Sequence, residues 1–384
     1  MRASRIVPVI PQNAVVFRRC EAAHRDNANC AGLRRPGLGP LEKGCPLIDP
    51  ENVRPGQRDT TADRTDRPTT RANRPRVPPN VYSIAFGLAG LGEAWKAASQ
   101  VLTIGAVVPN VIFVLAGAAW LVLTLWYASQ GPRRLLSDLR DPVQSPFVSI
   151  AVIVPMLLAA ALASYAFTAG RVLVLIFLAL TIAVGAFLYG QWIVADMTPE
   201  AAHPGYFVPT VAGGFLGATA AAEVHLHALA WAAFGVGVLC WALLGSAILS
   251  RLMFRSVLPD PLVPTLAIEV APPAVAGIAY FALTAGATTV FADVLGGYLV
   301  LMALVQLRFI PLFARLRFAP GSWAFCFSYA AVATDALLWI ASTRPPARAA
   351  YAIVILVLIT GLVAAIAART IPAIARGQFL SARA

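Results

Sequence analysis

Five charged residues lie inside those apolar stretches of this sequence that are rich in Ala, Gly, Ser and Pro, and their types decide which chemistry the chain could support. Four are acids and one is a base: Glu93, Glu223, Glu269, Asp335 and Lys96. A charge is costly to bury in an apolar segment, so each residue is a candidate for proton binding, ion pairing or contact with a polar ligand. Glu93 and Lys96 are three residues apart, which places them on one face of a helix, where they can pair with each other.

The other acids differ in how readily water could reach them. Glu223 and Glu269 lie near the ends of their apolar segments, where water or lipid headgroups could solvate them, whereas Asp335 lies well inside its segment. For Asp335 and Glu269 three interpretations remain open. The carboxyl group is protonated and neutral, or it is a proton-coupling site, or it is hydrogen-bonded to a neighbouring helix and takes no part in function.

The sequence lacks the motifs that usually carry catalysis or metal binding. It contains no H-E-x-x-H pattern, no glycine-rich phosphate loop and no paired catalytic carboxylates. Cys20, Cys30 and Cys45 form no C-x-x-C pair, so a zinc site is not indicated. We interpret His203 as a surface residue. The sequence therefore predicts no catalytic residue, no metal, no cofactor and no enzyme activity.

The composition identifies the setting in which these residues lie. The chain of 384 residues is 59% hydrophobic and only 12% charged, whereas soluble domains contain about 25% charged residues. An ordinary soluble protein is therefore excluded, and we predict an all-α integral membrane protein. Residues 1–79 differ, because they hold half of the 30 Lys and Arg residues. We predict a disordered basic tail there, which is either a lipid-binding arm or a solvated segment of no set function.

Ten apolar segments are long enough to cross a bilayer, for which a helix needs about 20 residues. We predict them at residues 81–101, 108–128, 146–167, 171–194, 206–227, 228–250, 264–285, 290–311, 321–342 and 350–369. They form a transmembrane domain of residues 80–370, followed by a short cytoplasmic tail at 371–384. Most loop arginines lie on the side of the N-terminus, and such loops stay in the cytoplasm. We therefore predict a multi-pass protein of the inner cell membrane with both termini cytoplasmic.

The segments alternate in composition. The first, third, fifth, seventh and ninth are rich in Ala, Gly, Ser and Pro, whereas the others are rich in bulky apolar residues. Small residues allow close helix packing, so we predict five hairpins, each with an inner and an outer helix. Helix disruptors interrupt four inner segments, at Gly87, Pro155, Pro209 and Pro272–Pro273. We predict that these kinks line a central path, the alternative being kinks that only help to pack a bundle.

Four stretches of the sequence resemble a known family. They are residues 82–100 (YSIAFGLAGLGEAWKAASQ), 141–149 (DPVQSPFVS), 204–212 (PGYFVPTVA) and 323–329 (WAFCFSY). Together they resemble the tellurite-resistance/dicarboxylate transporter family, which includes bacterial TehA and the plant guard-cell slow anion channels. The resemblance covers about residues 80–370. It is carried by the order of the four motifs and by their placement on inner segments.

The resemblance implies ten helices in five hairpins, arranged as a quasi-five-fold ring around a central pore in each subunit of a homotrimer. It also implies a phenylalanine on the ninth segment that plugs the pore, and in the Trp-x-x-x-Phe pattern this position is Phe327. A bulky ring that turns about its first torsion can block and dewet a narrow path. Simple packing is the alternative role of Phe327. Ser328 stands where related channels often have a kinking proline, so the resemblance does not extend to that bend.

Three functions follow from these expectations. The first is a gated, channel-like transporter of small anions or C4-dicarboxylates, although four acids against one lysine fit an anion path poorly. The second is a proton-coupled carrier of C4-dicarboxylates, in which Asp335 or Glu269 would bind the proton. The third is a membrane enzyme or resistance factor for oxyanions such as tellurite, against which the missing motifs speak. The expected partners are the anion, the lipid bilayer and further copies of the chain, with no nucleic acid.

Overall fold

The computed structural model describes residues 77–379, and in this part of the chain all regular structure is helical. The predicted basic tail at residues 1–79 lies outside the described residues except for its last three. The predicted C-terminal tail is described only as far as Phe379. The boundaries of both tails therefore remain predictions.

Twelve α-helices follow one another along the described residues. They are α1 (Ser83–Ala98), α2 (Val107–Ala128), α3 (Pro132–Arg140), α4 (Ser145–Val148), α5 (Ile150–Ala163), α6 (Phe167–Val194), α7 (Gly213–Glu223), α8 (His227–Phe254), α9 (Ala271–Leu283), α10 (Val290–Phe313), α11 (Trp323–Thr343) and α12 (Arg348–Ala375). Turns of 3-10 helix lie at Pro79–Tyr82, Pro199–Ala201, Pro204–Tyr206, Asp260–Val270 and Pro320–Ser322, and a π-helical turn spans Val208–Ala212.

Eight segments of the described chain are long and apolar enough to cross a membrane. Five are α2, α6, α8, α10 and α12, and three combine α5, α9 or α11 with the turn before it. The other two predicted spans, 81–101 and 206–227, contain α1 and α7, which have only 16 and 11 residues. Helices of this length measure about 24 and 16 Å, less than the ~30 Å of a bilayer core. The protein is therefore a multi-pass helical membrane protein with eight candidate membrane-spanning segments among its described residues.

Two sets of helices differ in burial. In the spans formed by α2, α6, α8, α10 and α12, 17% to 28% of the apolar stretch is buried, whereas in the spans that contain α5, α9 and α11 the share is 56% to 72%. Most residues of α1 and α7 are buried as well. Side chains such as Val114, Leu239 and Val357 are exposed on the first set, as expected of lipid contact. We call α1, α5, α7, α9 and α11 the inner helices, and α2, α6, α8, α10 and α12 the outer helices.

The inner helices contact one another in chain order. α1 packs against α5, α5 against α7, α7 against α9 and α9 against α11, while α11 packs extensively against α1. Each outer helix packs against the inner helix that precedes it in the chain. The small residues of the inner helices explain these contacts, because they let helix backbones approach closely.

A proline marks the turn that leads into each inner helix. These prolines occupy the first positions of the turns: Pro79, Pro146, Pro204, Pro261 and Pro320. Proline is favoured there because the N–H group that it lacks would have no partner in the first turn of a helix. The same signal at the start of all inner helices agrees with the hairpin repeat that the sequence predicts.

Candidate functional site

The inner helices enclose a cavity of about 60 Å³. Each of them contributes to its wall: Phe86 from α1, Leu157 from α5, Leu216 from α7, Val275 from α9 and Phe327 from α11. The wall is mainly apolar, and its polar side chains are Glu93, Thr219 and Thr334.

The two ends of the cavity differ in chemistry. Phe86 and Phe327 lie at one end, and Glu93 is the ionisable residue of the wall. α1 and α11 run in the same direction, because Gly90 faces Ala330 one turn beyond the pair of phenylalanines. Glu93 lies seven residues after Phe86, so the aromatic and acidic ends are about 10 Å apart along the helix. The cavity therefore has an aromatic end and a polar end.

Phe327 lies in the cavity wall at the aromatic end. Its side chain is 6% exposed, and its ring stacks on that of Phe86 with centroids 4.7 Å apart and an interplanar angle of 25°. Ser328 is fully buried, and α11 continues through it as an unbroken α-helix. This position is compatible with both predicted roles of Phe327, a gate and a packing residue.

A three-residue ion network lies beside the polar end. The Lys96 ammonium is 2.7 Å from Oε1 of Glu223 and 3.4 Å from Oε2 of Glu93. The predicted pairing of Glu93 with Lys96 is therefore present. The contact with Glu223 was not predicted, and nothing in the local pattern could have indicated it, because 127 residues separate the partners.

Two threonines that sequence reasoning missed also lie at the polar end. Thr219 of α7 and Thr334 of α11 belong to the wall of the cavity together with Glu93. Their only signal in the sequence is a polar residue within an otherwise apolar inner helix. Within residues 77–379, no three His, Cys, Asp or Glu side chains lie together in a way that could hold a metal ion.

The predicted kink residues occupy different environments. Pro272 belongs to the cavity wall in the first turn of α9, whereas Pro155 is buried inside α5. Pro209 lies in the π-helical turn and faces a groove between α6 and α8. Gly87 lies within the continuous helix α1, where an added Cβ would be 2.6 Å from Cβ of Cys326. The structure thus places one of these four residues in the cavity wall.

Asp335 lies between two inner helices. Its side chain is 1% exposed and presses against Gly277 of α9, so that an added Cβ at this glycine would collide with the carboxyl group. The indole N–H of Trp339 donates a hydrogen bond to the carboxyl group of Asp335. Oδ1 of Asp335 has no hydrogen-bond partner among the described residues. The preceding residue, Thr334, belongs to the cavity wall instead. The Asp335 side chain therefore lies between α11 and α9 and is not part of the cavity wall.

Glu269 ends the 3-10 segment that leads into α9. Its Oε1 is buried without a hydrogen-bond partner among the described residues. Tyr298 of the outer helix α10 lies close enough to interact electrostatically with the Glu269 carboxyl group. The adjacent Ile268 belongs to the cavity wall. Glu269 therefore lies close to the outer helix α10 and is not part of the cavity wall.

His203 is a buried residue, so its interpretation as a surface histidine was wrong. Its side chain is 0% exposed, and Nδ1 accepts a hydrogen bond from the backbone N–H of Gly205 at 3.1 Å. Its ring also stacks on Phe147. Burial lowers the pKa of His203 to about 4, because an apolar site disfavours the charged imidazolium. The neutral ring thus caps the turn before α7.

Comparison with known proteins agrees with this architecture. The sequence model of a family described as voltage-dependent anion channel (SLAC1) matches residues 76–371. The chain is also 26% identical over 269 residues to a protein named tellurite resistance protein TehA homolog from Haemophilus influenzae. That match covers 68% of this chain and 80% of the relative. Both findings confirm the resemblance seen in the sequence motifs, and the match over most of its length shows that the chain belongs to the voltage-dependent anion channel family.

Proposed function

We propose that this protein is a TehA-like channel or transporter that conducts small anions or C4-dicarboxylates through a central pore gated by Phe327. The observation that carries the proposal is the cavity walled by all five inner helices, with Phe327 stacked on Phe86 at one end. Membership of an anion channel family supplies the class of substrate. In this proposal the ten helices form a quasi-five-fold ring, which the order of the inner-helix contacts supports.

Irregular backbone beside the cavity supports a path through it. Val208 and Ala212 of the π-helical turn and Ile268 of a 3-10 segment belong to the cavity wall. At membrane depth such backbone is tolerated where it is buried in protein or lines a water-filled cavity. Because the wall contains no Lys or Arg, pore width and backbone dipoles would set the selectivity.

Phe327 would act as the gate by turning its ring away from Phe86. The stacked pair leaves no polar group at that end of the cavity, and an apolar constriction excludes water and ions. Phe327→Ala should raise anion flux in proteoliposomes about tenfold, equivalent to about 1.4 kcal/mol.

Phe325→Ala is the matched control for the gate. Phe325 lies on the same helix but packs against Phe313 of α10, with ring centroids 4.8 Å apart, and it is not part of the cavity wall. We expect wild-type flux from this variant. Unchanged flux in a folded Phe327→Ala protein would refute the role of Phe327 as the gate.

Assembly and location complete the proposal. The exposed apolar side chains of the outer helices require a bilayer or further copies of the chain. We propose a homotrimer in the inner membrane with both termini in the cytoplasm. The mass of the detergent-solubilised protein tests the trimer, since the chain alone has a mass of 40.6 kDa. A monomer would contradict it.

A proton-coupled C4-dicarboxylate carrier is the second candidate, and Asp335 is the observation in its favour. A deeply buried carboxyl group with an unpaired oxygen is the kind of group that can bind and release a proton. Asp335→Asn, and likewise Glu269→Gln, should then abolish the effect of a pH gradient on uptake while the protein stays folded. Wild-type gradient dependence in both variants would eliminate this candidate.

A further inference from the structure

The ion network of Glu93, Lys96 and Glu223 lies at the end of the cavity opposite Phe327. Lys96 follows Glu93 by three residues on α1, and Glu223 follows Thr219 by four residues on α7. Glu93 and Thr219 both belong to the cavity wall, and residues three or four apart lie one above the other on a helix. The Lys96–Glu223 pair therefore lies about one helical turn beyond the cavity.

The pair connects two helices that are not adjacent among the inner helices. α5 packs against both α1 and α7 on one side, and α11 and α9 connect them on the other side. Since all five helices line the cavity, an ion pair from α1 to α7 reaches across its mouth. The 2.7 Å distance between Nζ of Lys96 and Oε1 of Glu223 shows that this crossing is closed.

The charges of the network fit a barrier to anions. One ammonium is shared by two carboxylates, which leaves an excess of negative charge at the mouth. About a third of the Lys96 side chain is exposed, so the network is within reach of water and solutes. An ammonium has three N–H donors and no acceptor, and a carboxylate or another small anion can take the place of Glu223 as its partner.

We propose that Glu93, Lys96 and Glu223 form a second gate of the pore, and that Lys96 binds the incoming anion by exchanging it for the carboxylate of Glu223. The inference rests on the proposed anion pore. Two of the four acids are thus partners of the lysine, which is available to the anion only after the exchange. Glu93 remains paired with Lys96 and holds it near the cavity during this step.

The test measures anion flux in proteoliposomes over a range of chloride or malate concentrations. Glu223→Gln removes the competing carboxylate, so flux should rise and the half-saturating concentration should fall about fivefold, the effect expected from about 1 kcal/mol for an accessible ion pair. Lys96→Gln should raise the half-saturating concentration. In the Lys96→Gln background the additional change Glu223→Gln should have no further effect, because the exchange partner is missing.

Two further variants keep the test decisive. Glu200→Gln removes the exposed ion pair between Glu200 and Arg255, in which Oε1 and Nη1 are 3.6 Å apart. Neither residue belongs to the cavity wall, so this variant should behave as wild type. If Lys96→Gln does not fold, Lys96→Arg keeps the charge and should retain a half-saturating concentration near that of wild type.

Two outcomes would overturn the second gate while the anion pore stands. In one, Glu223→Gln leaves both flux and the half-saturating concentration unchanged in a protein that conducts anions, which refutes the second gate alone. In the other, Glu223→Gln has the same effect with and without Lys96. Absence of anion flux from wild type, Phe327→Ala and all network variants would refute the anion pore and the second gate together.

Discussion

At the level of single residues, Asp335 and Gly277 define how closely α11 approaches α9. A methyl group at residue 277 would occupy the space of the Asp335 carboxyl group. The carboxyl group is buried, so it cannot move into solvent without opening the contact between the helices. This explains why the chain has a glycine in the middle of α9, where alanine would favour the helix.

Gly277→Ala should therefore lower the stability of the protein. Overpacking of a buried contact costs about 1–3 kcal/mol, and the thermal unfolding midpoint in detergent measures the loss. Gly297→Ala is the matched control, since a Cβ at that helical glycine has no atom of the surrounding protein within 4 Å. Equal midpoints for the two variants would contradict the close contact.

His203 gives the protein a predictable dependence of stability on pH. Burial lowers its pKa from 6.5 to about 4, so the unfolded chain binds a proton at this residue more readily than the folded protein does. The contribution of the neutral ring is complete above about pH 6.5 and is lost as the pH falls towards 4, and it amounts to on the order of 3 kcal/mol.

His203→Asn tests this dependence, because an Asn oxygen can also cap the turn by accepting the N–H of Gly205. We expect the fall in thermal midpoint between pH 6.5 and pH 4 to be smaller in the variant than in wild type. Identical slopes in the two proteins would show that His203 does not titrate in this range.

At the level of helices, the sequence predicted the outer elements better than the inner ones. The predicted spans 108–128 and 171–194 correspond closely to Val107–Ala128 and Phe167–Val194, because a continuous bulky apolar run admits only a long helix. The predicted span 206–227 is instead divided into a 3-10 turn, a π-helical turn and α7. Proline indicated the break, but its local geometry depends on packing against neighbouring helices, which the sequence does not display.

The contact between α1 and α11 brings the two stacked phenylalanines together, and Gly87 permits it. An added Cβ at residue 87 would lie 2.6 Å from Cβ of Cys326, the residue next to Phe327. Gly87→Ala should push the helices apart, lower the thermal midpoint and raise resting anion flux by loosening the Phe86–Phe327 stack.

Gly235→Ala on the outer helix α8 is the control for that change, because nothing lies within 4 Å of a Cβ at this position. Both thermal midpoint and flux should be those of wild type. A Gly87→Ala protein with normal stability and normal resting flux would show that the α1–α11 contact does not hold the stack in place.

At the level of the whole molecule, the sequence indicated membrane insertion, the family and the position of Phe327, but not the polar end of the cavity. Glu223 approaches Lys96 across 127 residues, and only the folded arrangement of the inner helices brings them together. The two ends of the cavity thus differ in how far the sequence could predict them. The resemblance to a known family singled out Phe327, whereas only the tertiary structure pairs Lys96 with Glu223 at the polar end.

We propose that anions pass through the cavity among the inner helices and that Phe327 limits their passage. The most direct test is anion efflux from proteoliposomes that contain wild type, Phe327→Ala or Phe325→Ala, each measured with and without a proton gradient. We predict efflux that does not require the gradient, that rises in Phe327→Ala and that is unchanged in Phe325→Ala. Efflux that requires the gradient and is the same in all three proteins would contradict the gated pore.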